Sequence, residues 1–173
     1  MNNRMNTSLK LILPPAALSM GFSLVGAASN SLSKTDQNFA VTAAHGNTFE
    51  AQFGMLPAKQ GGSVDVRAFG EMLSKDHAAA QAKLMAIGAA HGLKLSDKPD
   101  AKQQSILGKL SKLKGAAFNA SYRKTAIDDH TQDVSDFGKY VSAVKAADLL
   151  DYAKTTLPVL QRRLDDAKKL GAK

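Results

Sequence analysis

Between Gly115 and Val144 one apolar stripe runs through Phe118, Tyr122, Ala126, Val134, Phe137 and Val141. Steps of three and four positions are the period of an α-helix, not the two-residue period of a strand. A helix of that length is stable in water only if its apolar stripe is buried against other elements. Three further stretches supply those partners. The stripe Phe39, Ala43, Gly46, Glu50, Phe53 marks a first helix and Val66, Phe69, Leu73, Ala80, Leu84, Ile87 a second. Leu149, Ala153, Leu157, Leu160, Leu164, Ala167 marks the last. Aromatic residues are only 6% of the chain and tryptophan is absent, so Ala, Leu, Val and a few Phe must fill the core. Such residues suit closely approaching helices better than a sheet.

Punctuation sets the expected boundaries. Ser33 or Thr35 can cap the first helix, with Asp36 in its first turn. Pro57 should kink or end it, and Gly61-Gly62 breaks the chain. Ser63 caps the second helix, which runs to about His91, with Gly92 as its stop. A short helix is expected from Asp100 to about Leu113, ended by Gly115. The third long helix runs over about Ala116 to Val144. The fourth runs over about Ala147 to Leu170, bent at Pro158. These lengths predict an all-α chain: an antiparallel four-helix bundle with one short extra helix between helices two and three. No stretch reads as a strand.

Ahead of the bundle, residues 1–28 read as a signal peptide. Arg4 and Lys10 form a basic start, Leu11 to Val25 an apolar run, and Ala27-Ala28 a small-residue cleavage site. Residues 29–35 read as a linker and 36–173 as the bundle domain. The expected location is the periplasm or cell envelope, with no membrane-spanning segment in the mature chain. The chain has no cysteine, which excludes disulfides and thiolate chemistry and fits any compartment, an oxidising one included. Net charge is +8, but the lysines are spread along the helices as solvated faces. The one dense run, Lys102 to Lys114, has no interleaved aromatic. It suggests weak contact with anionic envelope components, not nucleic-acid binding.

Helices one to four are centred near residues 47, 77, 130 and 158, and in an up-and-down bundle midpoints share a level. Glu50, His77, His130 and Arg163 fall there, each from a different helix. Glutamate is rare in this chain, Glu50 and Glu71 against 13 Asp, and a glutamate on a Phe-lined stripe is costly to bury unpaired. Asp76 and Asp129 adjoin the histidines but are turned about 100° around their helices, toward the edge of the site. Two readings follow. In one, Glu50, His77 and His130 bind a single transition metal (iron, manganese or zinc), with water completing the shell. In the other, they form a hydrogen-bonded structural cluster with Arg163, Asp76 and Asp129, in which Arg163 neutralises Glu50 and no cofactor is needed. The di-metal bundle signature, a Glu on two helices and Glu-x-x-His on the other two, is missing, and that favours the structural cluster.

Elsewhere the signals are ordinary. His45 reads as a boundary residue and His91 as a partner of its helix C-terminus. Tyr122, Tyr140 and Tyr152 read as core-edge residues, and Met72 and Met85 as gap fillers. There is no glycine-rich phosphate loop and no nucleophile context. The balance favours a non-enzymatic binding or stress-related role, with a ferritin-like metal-binding or oxidoreductase protein as the alternative.

Several pieces together resemble one bacterial family. They are Phe39 with the small residues before Glu50, Lys75-Asp76-His77, Phe118 with Tyr122, Asp129-His130, and Leu157-Pro158-Val159-Leu160. The chain from about Asp36 to Leu170 resembles a domain-of-unknown-function family with a ferritin-like bundle, often labelled outer membrane proteins. The resemblance implies a ferritin-like four-helix fold and export, and no activity. Where that family commonly carries a histidine shortly after Leu-Pro, this chain aligns Arg163.

Overall fold

In the computed structural model, residues 31–171 are described; the expected signal peptide lies outside them. Five helices follow one another: α1 (Lys34–Gln60), α2 (Val64–Ala90), α3 (Ala101–Leu110), α4 (Gly115–Ala143) and α5 (Ala147–Lys169). No strand occurs among the described residues. The all-helical expectation and the short helix before α4 stand.

The helix starts follow local chemistry. Ser33 accepts from the Asp36 N–H at 3.1 Å, and the Asp36 carboxylate accepts from the Ser33 N–H at 3.2 Å. This reciprocal box starts α1 at Lys34, so the helix takes in the last two residues of the expected linker. Asp100 and Gln103 make the same box at the start of α3. Three boundaries differ from expectation. α1 passes through Pro57 to Gln60, because the Pro57 carbonyl accepts from both Gly61 and Gly62 and completes the last turn. α3 ends at Leu110, not Leu113. Gly115 opens α4, with a φ of 53° that a side chain would resist.

α1 and α2 form one hairpin, α4 and α5 another. The first is drawn tight at Gly54 and Gly70. A Cβ on Gly54 would lie 2.4 Å from the Gly70 carbonyl, and one on Gly70 would lie 2.5 Å from the Gly54 carbonyl. The two backbones therefore touch, as only glycine allows. Asp36 joins the hairpins: its carboxylate also accepts from the N–H of Lys145 at 2.8 Å, in the α4–α5 connection.

The interior is two apolar clusters stacked end to end. One gathers Phe39, Leu84, Phe137, Leu149, Tyr152 and Leu160. The other gathers Phe49, Phe53, Leu73, Phe118, Tyr122 and Ala167. Every long helix contributes to both, and the change of cluster falls between Leu73 and Leu84, between Ala126 and Phe137, and between Leu160 and Ala167. His77, His130 and Arg163 occupy those intervals. Tyr122 and Tyr152 lie at the centre of the clusters, not at the core edge, and Met85 faces solvent instead of filling a gap.

Candidate metal centre

The stripe positions converge as their levels imply. Glu50 on α1, His77 on α2 and His130 on α4 each offer a ligand atom, and these atoms lie within 4.8 Å of one another. Glu50 and His130 are wholly buried and His77 is 6% exposed. Ligands about 2.1 Å from a metal are at most about 4.2 Å apart. Closing this group around one ion therefore needs less than about an ångström of movement.

Hydrogen bonds fix the ring protons of both histidines on Nδ1. His130 Nδ1 lies 2.9 Å from the Ala126 carbonyl, which can only accept, so Nδ1 carries the proton and Nε2 the lone pair. His77 Nδ1 lies 3.2 Å from Asn47 Oδ1, and Asn47 in turn donates to the Tyr152 hydroxyl at 2.8 Å. Asn47 thus presents an oxygen to His77 and fixes the same tautomer there. Histidines bound to metals are oriented in this way by carbonyl and amide partners. Among the described residues, His130 Nε2 has no hydrogen-bond partner, nor has either oxygen of Glu50, nor the Tyr122 hydroxyl.

The electrostatics agree with that geometry. Burial lowers His77 to about 3, helped by His130 and Arg163 and opposed by Asp76. Burial also lowers His130, against the pull of Asp129 and the Ala126 carbonyl. Both rings are neutral at physiological pH. The Glu50 carboxyl is raised well above its ordinary value by burial, then by the charge of Asp129 and the close approach of its side chain, and last by the charge of Asp133. Asp133 is itself raised, by burial and by Asp129 and Asp136. The closest charge contact of Glu50 with a base is His130 Nδ1 at 3.8 Å, whose proton is committed to Ala126.

Arg163 does not pair with Glu50. Its guanidinium is tied to Asp76 and, at 3.5 Å, to Asp166. The reason is reach and solvation: Asp76 stands at the half-buried rim where an arginine tip keeps water, whereas Glu50 is sealed inside. Of the expected cluster, Glu50, His77 and His130 come together, Asp129 faces Glu50 electrostatically, and Asp76 and Arg163 form a separate pair beside His77. Two members were not legible in advance. Asn47 lies on the buried face that the stripe assigned to Gly46, and Asp133 stands one turn after Asp129. The only sequence signal for them was helical spacing from Glu50 and Asp129. His45 donates to the Lys98 carbonyl at 2.7 Å and His91 pairs with Asp148 at 2.8 Å, both away from the centre.

The chain matches the family described as "Domain of unknown function (DUF4142)" over residues 23–170. Among solved structures it is similar to the "Crystal structure of DUF305 fragment from Deinococcus radiodurans". That likeness has a TM-score of 0.72 at 9% identity, over 83% of this chain and 99% of the fragment. At that identity the likeness concerns the helical fold alone. No curated protein matches the chain.

Proposed function

The chain belongs to the DUF4142 family of unknown function, and we propose that it is an exported, envelope-associated bundle of ferritin-like arrangement that binds one divalent transition metal. The observation that carries this is the state of Glu50. A buried carboxyl with neither oxygen in a hydrogen bond lies within 4.8 Å of ligand atoms of two neutral histidines, whose ring protons are held by Asn47 and the Ala126 carbonyl. An unpaired buried carboxyl is costly, and a cation is the partner that satisfies two oxygens and two nitrogen lone pairs together. The metal-free reading relied on Arg163 to neutralise Glu50, and Arg163 is committed to Asp76 and Asp166.

Two imidazoles and one carboxylate suit iron(II), zinc or manganese, and three protein ligands leave coordination positions open. Such a metal, when bound, supplies Lewis acidity or redox capacity. The protein supplies orientation through Asn47 and the Ala126 carbonyl, and exclusion of water through the two apolar clusters.

Elemental analysis of protein purified without a chelating tag tests the reading. Near-stoichiometric iron, zinc or manganese is expected, lost in His77→Ala. At a hundredfold excess over Kd the metal should stabilise the fold by about 2.7 kcal/mol. Absence of bound metal together with an unmoved melting temperature in zinc, iron(II) and manganese would sink it. Export is supported by the basic start, the apolar run and Ala27-Ala28. A cytosolic protein that retains Met1 would count against it.

A further inference from the structure

Two acid-free stretches of chain border one groove. Residues 51–64, in the last turns of α1 and the turn after it, contain no aspartate or glutamate. Residues 101–127, in α3 and the first half of α4, contain none either. The groove between α1 and α3 encloses about 480 Å³, and Met55, Leu56 and Leu107 give it an apolar lining. Met55 is 48% exposed.

Lysines gather around that lining. Lys59 lines the groove and follows Met55 by four residues, on the same face of α1. Lys102 and Lys109 are seven residues apart and share a face of α3. Lys112 stands next to Ser111, another lining residue. Lys114 donates to the Lys59 carbonyl at 3.0 Å, which carries its charge to the end of α1. The lysine ion pairs among the described residues belong to Lys83, Lys124, Lys139, Lys168 and Lys169, so none of these charges is neutralised in that way. Ammonium groups beside an open apolar groove match the layering of an anionic bilayer. The charges meet phosphate head groups, and the apolar side chains reach the acyl boundary. Duplex DNA would use the lysines and leave Met55, Leu56 and Leu107 without a role.

We propose that the α1–α3 face docks on an anionic phospholipid bilayer, with Lys59, Lys102, Lys109, Lys112 and Lys114 at the head groups and Met55 toward the acyl chains. The run Lys102 to Lys114 supplies charge alone; the fold adds Lys59 and the apolar groove. Docking does not depend on a metal at Glu50.

Co-sedimentation with vesicles tests this, using phosphatidylcholine alone and phosphatidylcholine mixed in equal parts with phosphatidylglycerol. The protein is taken in the form the cell accumulates, with the same N-terminus in every variant. Binding to the mixed vesicles and not to phosphatidylcholine is expected. The double variant Lys109→Gln, Lys112→Gln should bind about twentyfold more weakly, at about fivefold per lysine near an anionic surface. Lys75→Gln with Lys154→Gln removes the same charge from exposed positions on α2 and α5 and should leave binding nearly unchanged. Met55→Ser should weaken vesicle binding about threefold. Circular dichroism checks that each variant is folded; all the substituted side chains are exposed. No binding to the mixed vesicles overturns the proposal. So does an equal loss in the two double variants, which would reduce the effect to net charge. Vesicle binding unmoved by Met55→Ser, with duplex DNA bound as tightly, would make the face a general polyanion surface and overturn the bilayer as its partner.

Discussion

Glu50 is the residue on which the competing demands meet. Its folded pKa is raised above the ordinary 4.5 by burial, with Asp129 and Asp133 adding to the effect. Folding therefore favours its protonated form, and the metal-free protein loses stability as pH rises from about that ordinary value toward the folded one. Glu50→Gln removes the titration and the buried carboxylate charge. It should stabilise the metal-free protein at pH 7 to 8 by about 1–3 kcal/mol while abolishing metal-induced stabilisation. Urea midpoints with and without zinc measure both effects. A variant that is less stable than wild type in the absence of metal contradicts this account of the site. His77 has the opposite sign. Its folded pKa, pushed to about 3, lies below the ordinary 6.5. Its contribution is fully present above pH 6.5 and is lost as pH falls toward 3. At pH 4.5 the loss is about 2–3 kcal/mol. His77→Gln should flatten this acid limb, and unfolding curves at pH 4.5, 5.5 and 6.5 would expose a limb that stays steep. Glu50, His77 and His130 were legible in the sequence because each interrupts an apolar stripe at the same level. Asn47 was not, because a residue next to a stripe position is turned only about 100° and its inward direction depends on how α1 rotates against α2. The misplaced partner of Arg163 has a similar cause. Level along the helix axis can be counted in residues, but the side of the bundle a long side chain leaves by cannot.

At the scale of elements, the spacing of α1 and α2 decides whether Glu50 and His77 can act together. Gly54 follows Glu50 by one turn, and Gly70 lies two turns before His77. Their backbones touch with no room for a methyl group. Gly54→Ala must push the Gly70 carbonyl and the Ser74 N–H away, neither of which is a flexible side-chain end. A cost of about 2–3 kcal/mol is expected, with weaker zinc binding because the two ligands separate. Gly46→Ala is the control. Nothing lies within 4 Å of its added Cβ, so helix propensity alone should stabilise that variant, by up to about 1 kcal/mol. Thermal melts of the two variants should move in opposite directions; a shared direction would show that the close approach is not what holds the hairpin. The existence and order of the helices followed from periodicity and punctuation. The close approach did not, because a glycine inside a helical pattern reads as a weak helix position until its opposite number is known. Pro57 misled for a related reason. Its missing N–H weakens the helix there, but its carbonyl accepts from both Gly61 and Gly62 and closes the last turn.

For the molecule as a whole, the polar layer divides one core into two, so the hairpins must be held in register at their ends as well as at the centre. The helix stripes cover one another in the two apolar clusters, and no helix among the described residues is long and apolar enough to cross a membrane. Asp36 supplies one end tie. It is 2% exposed, and it accepts from Ser33 within α1 and from the N–H groups of Lys145 and Ala146 across the hairpins. Burial alone would raise its pKa, but the donors from Lys145, Ser33 and Ala146 outweigh burial and hold it below the ordinary 3.8. Its contribution is therefore present above about pH 4 and lost as pH falls through the folded value. Ser33→Ala removes only the cap and should cost about 1 kcal/mol. Asp36→Ala removes the cap and also leaves the N–H groups of the α4–α5 connection unpartnered, and should cost about 2–4 kcal/mol. The difference between the two variants measures the tie between hairpins, apart from the start of the helix. It should shrink as pH falls through the folded value of that carboxyl. Chemical denaturation of both variants over a falling pH series from pH 7 tests this, and equal costs at pH 7 would mean that Asp36 caps α1 and does nothing to join the hairpins.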